Sequence, residues 1–206
     1  MQITVFGASG KVGRQVVALA LEQGIAVTAF VHRTNPFENE AQVMVVRGDI
    51  TDAAAVAEAI RGSQVVISTL GSWGTKEKNI VSSGARAIVP AMEQQGIKRL
   101  ITLTGDAARW SGDKPTLVDK VTHTVLGLMA GKILKDGEAH LEILDASSLQ
   151  WTSLRSPVMT GIKSSKYNLV AHSALPIATI PRQAVAQAII DQLDATDQLR
   201  QAPILR

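Results

Sequence analysis

The chain has 206 residues, 46% of them hydrophobic and 19% charged, with a formal net charge of +3 and no cysteine. This composition predicts a folded globular protein and excludes an intrinsically disordered chain, disulfides, thiolate metal sites and cysteine nucleophiles. The scattered charge does not indicate nucleic-acid binding. The lack of an export signal and of any apolar run of about 20 residues predicts a cytoplasmic protein without a membrane span.

The first predicted element is a strand that leads directly into a glycine-rich turn and a helix. Ile3–Phe6 is β-branched and aromatic, residues 7–13 read GASGKVG, and Val12, Val16 and Leu19 recur at helical spacing. Such a turn favours a dinucleotide pyrophosphate, because glycine permits close approach and the helix N-terminus offers free N–H groups. A turn without a ligand is the alternative. A nucleoside-triphosphate loop is excluded, because it needs four residues between its glycines and a Ser or Thr after the lysine.

Further apolar runs predict strands that are covered on both faces, since their apolar residues are continuous rather than alternating. Helices are predicted between them over Ala53–Ile60, with Asp52 as N-cap, and from Ile80 to just before Gly96. This alternation predicts a Rossmann-type, doubly wound parallel sheet with helices on both faces. The runs are Ala26–Val31, Val43–Val46, Val65–Ser68 and Leu100–Thr104.

The second half of the sequence is less regular. It predicts a helix over Glu138–Ala146, a strand over Trp151–Arg155 and a last helix over Pro181–Leu193. Residues 106–131 and 158–180 mix Gly, Ser, Lys and scattered apolar residues, and we expect them to form loops that build the substrate side of the site. No repeat or linker divides the chain, so residues 1–206 are predicted to form a single domain.

The end of the second predicted strand bears on the choice of dinucleotide. NAD-binding proteins commonly place an acidic residue there, about 20 residues past the turn, to bind the ribose hydroxyls. This chain has His32, Arg33 and Thr34 instead. Arginine pairs well with the extra phosphate of NADP, so NADP(H) is favoured over NAD(H), with a solvated loop cation as the alternative. Asp49, after the third strand, could accept a hydrogen bond from the adenine, whereas Asp52 is explained by helix capping.

These motifs resemble those of the short-chain dehydrogenase/reductase superfamily, of which the chain looks like an atypical member. More narrowly, it is similar to the single-domain NAD(P)H-binding proteins that include biliverdin reductase B/flavin reductase and the NmrA-like redox sensors. The resemblance covers nearly the whole chain and is less specific in the second half. It rests on residues 7–13, Arg33, residues 48–52, Leu70, Gly71, residues 154–157 (LRSP) and residues 180–186 (IPRQAVA).

The resemblance implies where the cofactor would contact the chain. The turn would bind the pyrophosphate, Arg33 the 2′-phosphate, and Asp49 and Ile50 the adenine. Leu70 and Gly71 would contact the adjoining ribose, and Thr104 and Pro157 would lie near the nicotinamide. The implied cofactor-binding residues are Gly7, Ser9, Gly10, Lys11, Val12, Gly13, Arg33, Asp49, Ile50, Leu70, Gly71, Thr104 and Pro157.

The chain lacks the Tyr-x-x-x-Lys pair with which standard members of that superfamily reduce carbonyls. Its single tyrosine, Tyr167, is followed four positions later by Ala171, and residues 135–140 of the predicted helix contain no tyrosine. Catalytic residues therefore stay unassigned. A flavin, quinone or related small-molecule acceptor delocalises charge and takes its proton from solvent, so we expect an NADPH-dependent reductase of such acceptors. The alternative is an NADP(H)-binding redox sensor that regulates a protein partner without turnover.

Other polar side chains have simpler explanations. His140 is expected to be a partly exposed histidine without a role, Glu138 and Glu142 to form a solvated helix face, and Asp106 and Arg109 to form a loop ion pair. No metal site is expected, because the histidines lack metal-ligand spacing. They are His32, His123, His140 and His172.

Overall fold

A computed structural model describes residues 1–72, 75–171 and 178–206, without the side chains of residues 118, 119, 122 and 126. His172 and part of the predicted loop 158–180 lie outside the described residues. Within the described ranges, no helix is both long and apolar enough to span a membrane.

An eight-stranded, mostly parallel sheet forms the centre of the molecule, with the strand order β3-β2-β1-β4-β5-β6-β10-β8. β8 is antiparallel to its neighbour β10, and β7 and β9 form a separate parallel pair. Because the order reverses between β1 and β4, their carboxyl ends open a crevice of the kind that binds ligands in this class of sheet. The strands are β1 (Gln2–Phe6), β2 (Ala26–Val31), β3 (Val43–Arg47), β4 (Val65–Ser68), β5 (Arg99–Gly105), β6 (Gln150–Ser156), β7 (Val158–Thr160), β8 (Leu169–Val170), β9 (Thr179–Pro181) and β10 (Ile204–Leu205).

Helices cover both faces of the sheet, which confirms the predicted fold class. α1 and α5 pack together on one face, and α3 packs against α4 on the other. Each face has its own cluster of buried apolar side chains, one built around α1 and α5 and one around α2, α3 and α4. The two clusters share one sheet, as expected for a single domain. The helices are α1 (Lys11–Glu22), α2 (Ala53–Ala59), α3 (Ile80–Gln94), α4 (Leu117–Ala146) and α5 (Arg182–Asp191).

α4 differs from the prediction, because it begins at Leu117 and bends sharply at Ala130, where φ is −138° and ψ is 34°. His123 Nε2 lies 2.7 Å from Glu138 Oε1, although 15 residues of a straight helix would separate them by about 22 Å. The two halves of α4, residues 117–129 and 131–146, therefore fold back towards each other. The predicted loop over 106–131 is wrong from Leu117 onward, where α4 begins. No buried helical face could be read from the sequence of residues 117–129, because the apolar side chains of this first half of α4 are largely exposed.

Candidate cofactor site

The glycine turn after β1 is shaped by two close backbone approaches. Gly7 has a φ of +74°, and a Cβ on it would lie 2.9 Å from the carbonyl carbon of Thr69. A Cβ on Gly13 would lie only 2.2 Å from the Gly7 carbonyl oxygen. The Gly10 N–H donates to the same oxygen at 2.9 Å, which closes the turn. Neither Gly7 nor Gly13 can carry a side chain without moving the backbone.

The N-terminus of α1 is the positive end of the helix and has no cap of its own. Its N-cap is Gly10, which has no side chain, and its first turn carries no acidic residue. By contrast, α2 is capped by Asp52, whose carboxylate accepts from the N–H groups of Ala54 and Ala55. The first N–H groups of α1 are therefore suited to an external anion. Since Val12 is buried in the core, its backbone is the part that could contact such an anion.

The segment after β4 lies directly beside the glycine turn. Thr69 Oγ1 donates to the carbonyl oxygens of Phe6, at 3.1 Å, and of Gly7, at 3.2 Å. A Cβ on Gly71 would meet no atom of the described residues within 4 Å. The structure thus brings Leu70 and Gly71 together with the turn at the crevice between β1 and β4.

The predicted adenine side lies at the ends of β2 and β3. Asp49 accepts from the backbone N–H of Thr51 at 2.9 Å and from its hydroxyl at 2.7 Å, and these bonds lower the pKa of Asp49. His32 Nε2 lies 3.4 Å from the other Asp49 oxygen, with both side chains more than half exposed. Arg33 is exposed, and its charge also acts to lower the pKa of Asp49. Ile50 is buried, so its side chain forms the floor of this region.

Thr104 and Pro157 lie at the ends of the adjacent strands β5 and β6 and are both buried. A Cβ on Gly137 would lie 2.7 Å from Thr104 Oγ1, so the second half of α4 passes directly beside this hydroxyl. Because β1, β4, β5 and β6 are consecutive in the sheet, the two residues share one edge with the glycine turn. Their contact with a nicotinamide stays a prediction.

Arg155 anchors the loop that follows β5, a role that the sequence reasoning missed. Arg155 is 3% exposed, and its guanidinium forms a bidentate salt bridge with Asp113, at 2.6 and 2.7 Å. It also donates to the carbonyl oxygens of Ala108, at 3.0 Å, and of Ala202, at 2.7 Å. An arginine inside a strand that is covered on both faces needs buried partners, and this is the signal that could have indicated the anchor.

The expected ion pair between Asp106 and Arg109 is wrong. Asp106 Oδ2 pairs instead with Arg206, at 3.2 Å from its Nη2. Arg206 follows β10, whose end lies near the end of β6 in the sheet, so its side chain reaches the loop after β5. Residues so far apart in the sequence give no local signal of their pairing.

The polar side chains of α4 also differ from expectation. His140 is 1% exposed, not partly exposed, and its Nε2 lies 2.9 Å from Thr102 Oγ1. Burial lowers the pKa of His140 to about 4, so its ring is neutral at pH 7. Glu138 does not belong to a solvated face, because it bonds to His123, whereas Glu142 is exposed as predicted.

Comparison with known proteins places these features in a family. A family model described as NAD(P)H-binding matches residues 7–196. The anaerobillin reductase ChuY from Escherichia coli O157:H7 is 24% identical, with a TM-score of 0.82 over 100% of this chain and 96% of that chain. A short-chain dehydrogenase/reductase from Veillonella parvula, in complex with NADP, is 22% identical, with a TM-score of 0.78 over 99% of this chain and 93% of that chain.

A curated relative, the 2-alkyl-3-oxoalkanoate reductase of Stenotrophomonas maltophilia, is 30% identical over 143 residues, which are 65% of this chain and 39% of that protein. The chain spans 26% of the length of an isoflavone reductase homologue from Zea mays and 23% of that of a mycobacterial relative, but 87% of that of a relative from Saccharomyces cerevisiae. The similar structures support the fold, and the family model covers most of the sequence. This chain belongs to the NAD(P)H-binding family.

Proposed function

We propose that this chain is an NADPH-dependent reductase that transfers hydride to a flavin, a quinone or a similar conjugated acceptor. The observation that carries the proposal is the cradle after β1, where Gly7 and Gly13 leave no room for a side chain and α1 has no cap of its own. A pyrophosphate fits such a cradle, because its oxygens accept hydrogen bonds from free N–H groups. When bound, the nicotinamide supplies the hydride, and the protein supplies orientation.

Two opposite charges bear on the preference for NADPH. Arg33 is exposed at the end of β2 and could pair with a 2′-phosphate through its planar guanidinium. Asp49 lies close enough to Arg33 for their charges to interact, and its carboxylate opposes a second negative group. The bonds from Thr51 keep Asp49 ionised, so we expect its repulsion to persist and the preference for NADPH to depend on direct pairing of Arg33 with the 2′-phosphate.

The loop of residues 106–113 lies on the acceptor side of the proposed site. Its salt bridge to Arg155 fixes it near the carboxyl end of β6. Its Trp110 packs edge-on against the buried Trp151, with a centroid distance of 5.9 Å, and so closes the core. A conjugated ring delocalises the incoming charge, so solvent can supply the proton and no acid from the protein is required. Two similar proteins are named as reductases, which agrees with this proposal.

Cofactor titration followed by an acceptor screen tests the proposal. NADPH and NADH are titrated separately into the purified chain, and the dissociation constants are compared. Oxidation of the preferred nucleotide is then followed by absorbance with FMN, with several quinones and without acceptor. We expect saturable NADPH binding and acceptor-dependent oxidation. Background rates with every acceptor, despite tight binding, would refute the reductase.

One observation favours a redox sensor as the second candidate. His140 lies on the second half of α4. It is buried and bonded to Thr102, so it offers no acid to an acceptor. A protein with a cofactor site and no proton donor can respond to the redox state without turnover. Unequal affinities for NADPH and NADP⁺, together with a protein partner that binds one form only, would support this candidate.

A further inference from the structure

Asp136 is a buried carboxylate that the motifs of the sequence do not explain. It lies on the second half of α4, is 4% exposed, and accepts three hydrogen bonds from another part of the chain. Its Oδ1 accepts from the Ser82 N–H at 2.8 Å, and its Oδ2 accepts from the Val81 N–H at 3.1 Å and from Ser72 Oγ at 2.6 Å. A buried charge with this many partners holds those partners in fixed positions.

The partners of Asp136 belong to the N-terminus of α3 and to the segment that precedes it. α3 has no cap of its own, because the side chain of its N-cap Asn79 makes no capping bond and its first turn has no acidic residue. Asp136 therefore acts as a cap supplied by a different helix, where the negative charge also favours the positive end of α3. Through its hydrogen bond to Asp136, Ser72 links this cap to the segment that follows β4.

The segment of residues 70–72 is consequently fixed at both ends. Leu70 packs against α3 so closely that a Cβ on Gly84 would lie 2.5 Å from its Cδ1. Ser72 is 2% exposed and bonded to Asp136. Between them, Gly71 is exposed, and a Cβ on it would meet no atom of the described residues within 4 Å. The arrangement presents the backbone of Gly71 to the crevice and holds its neighbours in place.

We propose that Asp136 is a positioning residue for the cofactor, which it serves by fixing residues 70–72 against α3 through Ser72. This inference rests on the proposed function and on the family resemblance, which implies that Leu70 and Gly71 contact the ribose beside the adenine. Asp136 does not touch the cofactor, because its carboxylate is buried behind Ser72 and the first turn of α3. Loss of the carboxylate frees Ser72 and uncaps α3, so that the wall of the crevice at Gly71 loses its fixed position.

NADPH titration of four variants of the full chain tests the proposal: Asp136→Asn, Ser72→Ala, the double variant, and Glu142→Gln as control. Glu142 is an exposed carboxylate on the same helix, and the site does not use it. The titration reports both the dissociation constant and the number of binding sites per chain. A merely structural role reduces the number of sites as the folded fraction falls, whereas a positioning role raises the dissociation constant of the folded chains.

We expect Asp136→Asn to raise the NADPH dissociation constant about tenfold, which corresponds to about 1.4 kcal/mol, a little under the range for one hydrogen bond to a charged group. Ser72→Ala should raise it about threefold, and the double variant no further than Asp136→Asn, because both substitutions remove the same contact. Glu142→Gln should keep the wild-type constant, and the number of sites should stay at the wild-type value in all four variants.

Wild-type dissociation constants for both Asp136→Asn and Ser72→Ala would overturn the inference and leave the proposed function intact. Should Asp136→Asn fail to fold, Ser72→Ala decides alone, since it keeps the carboxylate and the cap of α3 and removes only the link to residues 70–72. A wild-type chain that binds neither NADPH nor NADH would refute the proposed function, and this inference with it.

Discussion

The most direct test of the cradle is Gly13→Ala. The new Cβ would lie 2.2 Å from the Gly7 carbonyl oxygen, whereas ordinary contact begins at 3.4 Å. The turn and α1 must therefore separate by about 1.2 Å, too far to keep the N–H groups aligned on a pyrophosphate. Losing two such hydrogen bonds at roughly 1.5 kcal/mol each predicts a rise of about 100-fold in the NADPH dissociation constant.

The assay for Gly13→Ala is a calorimetric NADPH titration, with thermal unfolding of the nucleotide-free chain as the measure of folding. Gly127→Ala is the matched control, because among the described residues a Cβ on Gly127 meets only Leu134, at an ordinary 3.8 Å. We expect the control to bind NADPH like the wild type. A folded Gly13→Ala variant with a wild-type dissociation constant would show that the turn is not the pyrophosphate site.

Three further predictions concern the charges around the site and in the core. Arg33→Ala should raise the NADPH dissociation constant about fivefold and leave that of NADH within about twofold, since one exposed charge pair contributes about 1 kcal/mol; equal effects on both nucleotides would contradict the assigned role. Asp113→Ala should lower the free energy of unfolding by about 3 kcal/mol in urea titrations, because it leaves the buried charge of Arg155 unpaired; a loss under about 1 kcal/mol would contradict this account. His140 has a pKa of about 4 when folded, below its unfolded value, so the unfolded chain binds more protons and stability should fall by about 2 kcal/mol from pH 7 to pH 5. His140→Gln should reduce this pH dependence, and an unchanged dependence would exclude His140 as its source.

The regular half of the fold could be predicted from the sequence, because its signals are local. The continuous apolar run of Ala26–Val31 is almost wholly buried in β2, as expected for a strand covered on both faces. The glycines of residues 7–13 are required by contacts within that same stretch and with its neighbour Thr69. Short-range periodicity and turn chemistry are enough to place such elements.

The acceptor side and α4 could not be predicted in the same way. The first half of α4 exposes Leu117, Val121 and Leu128, so its apolar residues do not mark a buried face. Asp136 gives no motif, because its partner Ser72 is 64 residues away in the sequence. His140 likewise contacts Thr102 across 38 residues. Contacts of this kind depend on the completed fold and produce no periodic pattern in the sequence.

The anchoring of the loop after β5 has a consequence for the order of biosynthesis. Arg155 bonds through its guanidinium to Ala202, its N–H donates to the Pro203 carbonyl oxygen at 2.8 Å, and Asp106 pairs with Arg206. The glycine turn and residues 70–72, which frame the crevice between β1 and β4, are instead contributed by the first 72 residues. On a translating ribosome the loop after β5 is thus fixed later than these residues, once residues 202–206 have left the exit tunnel.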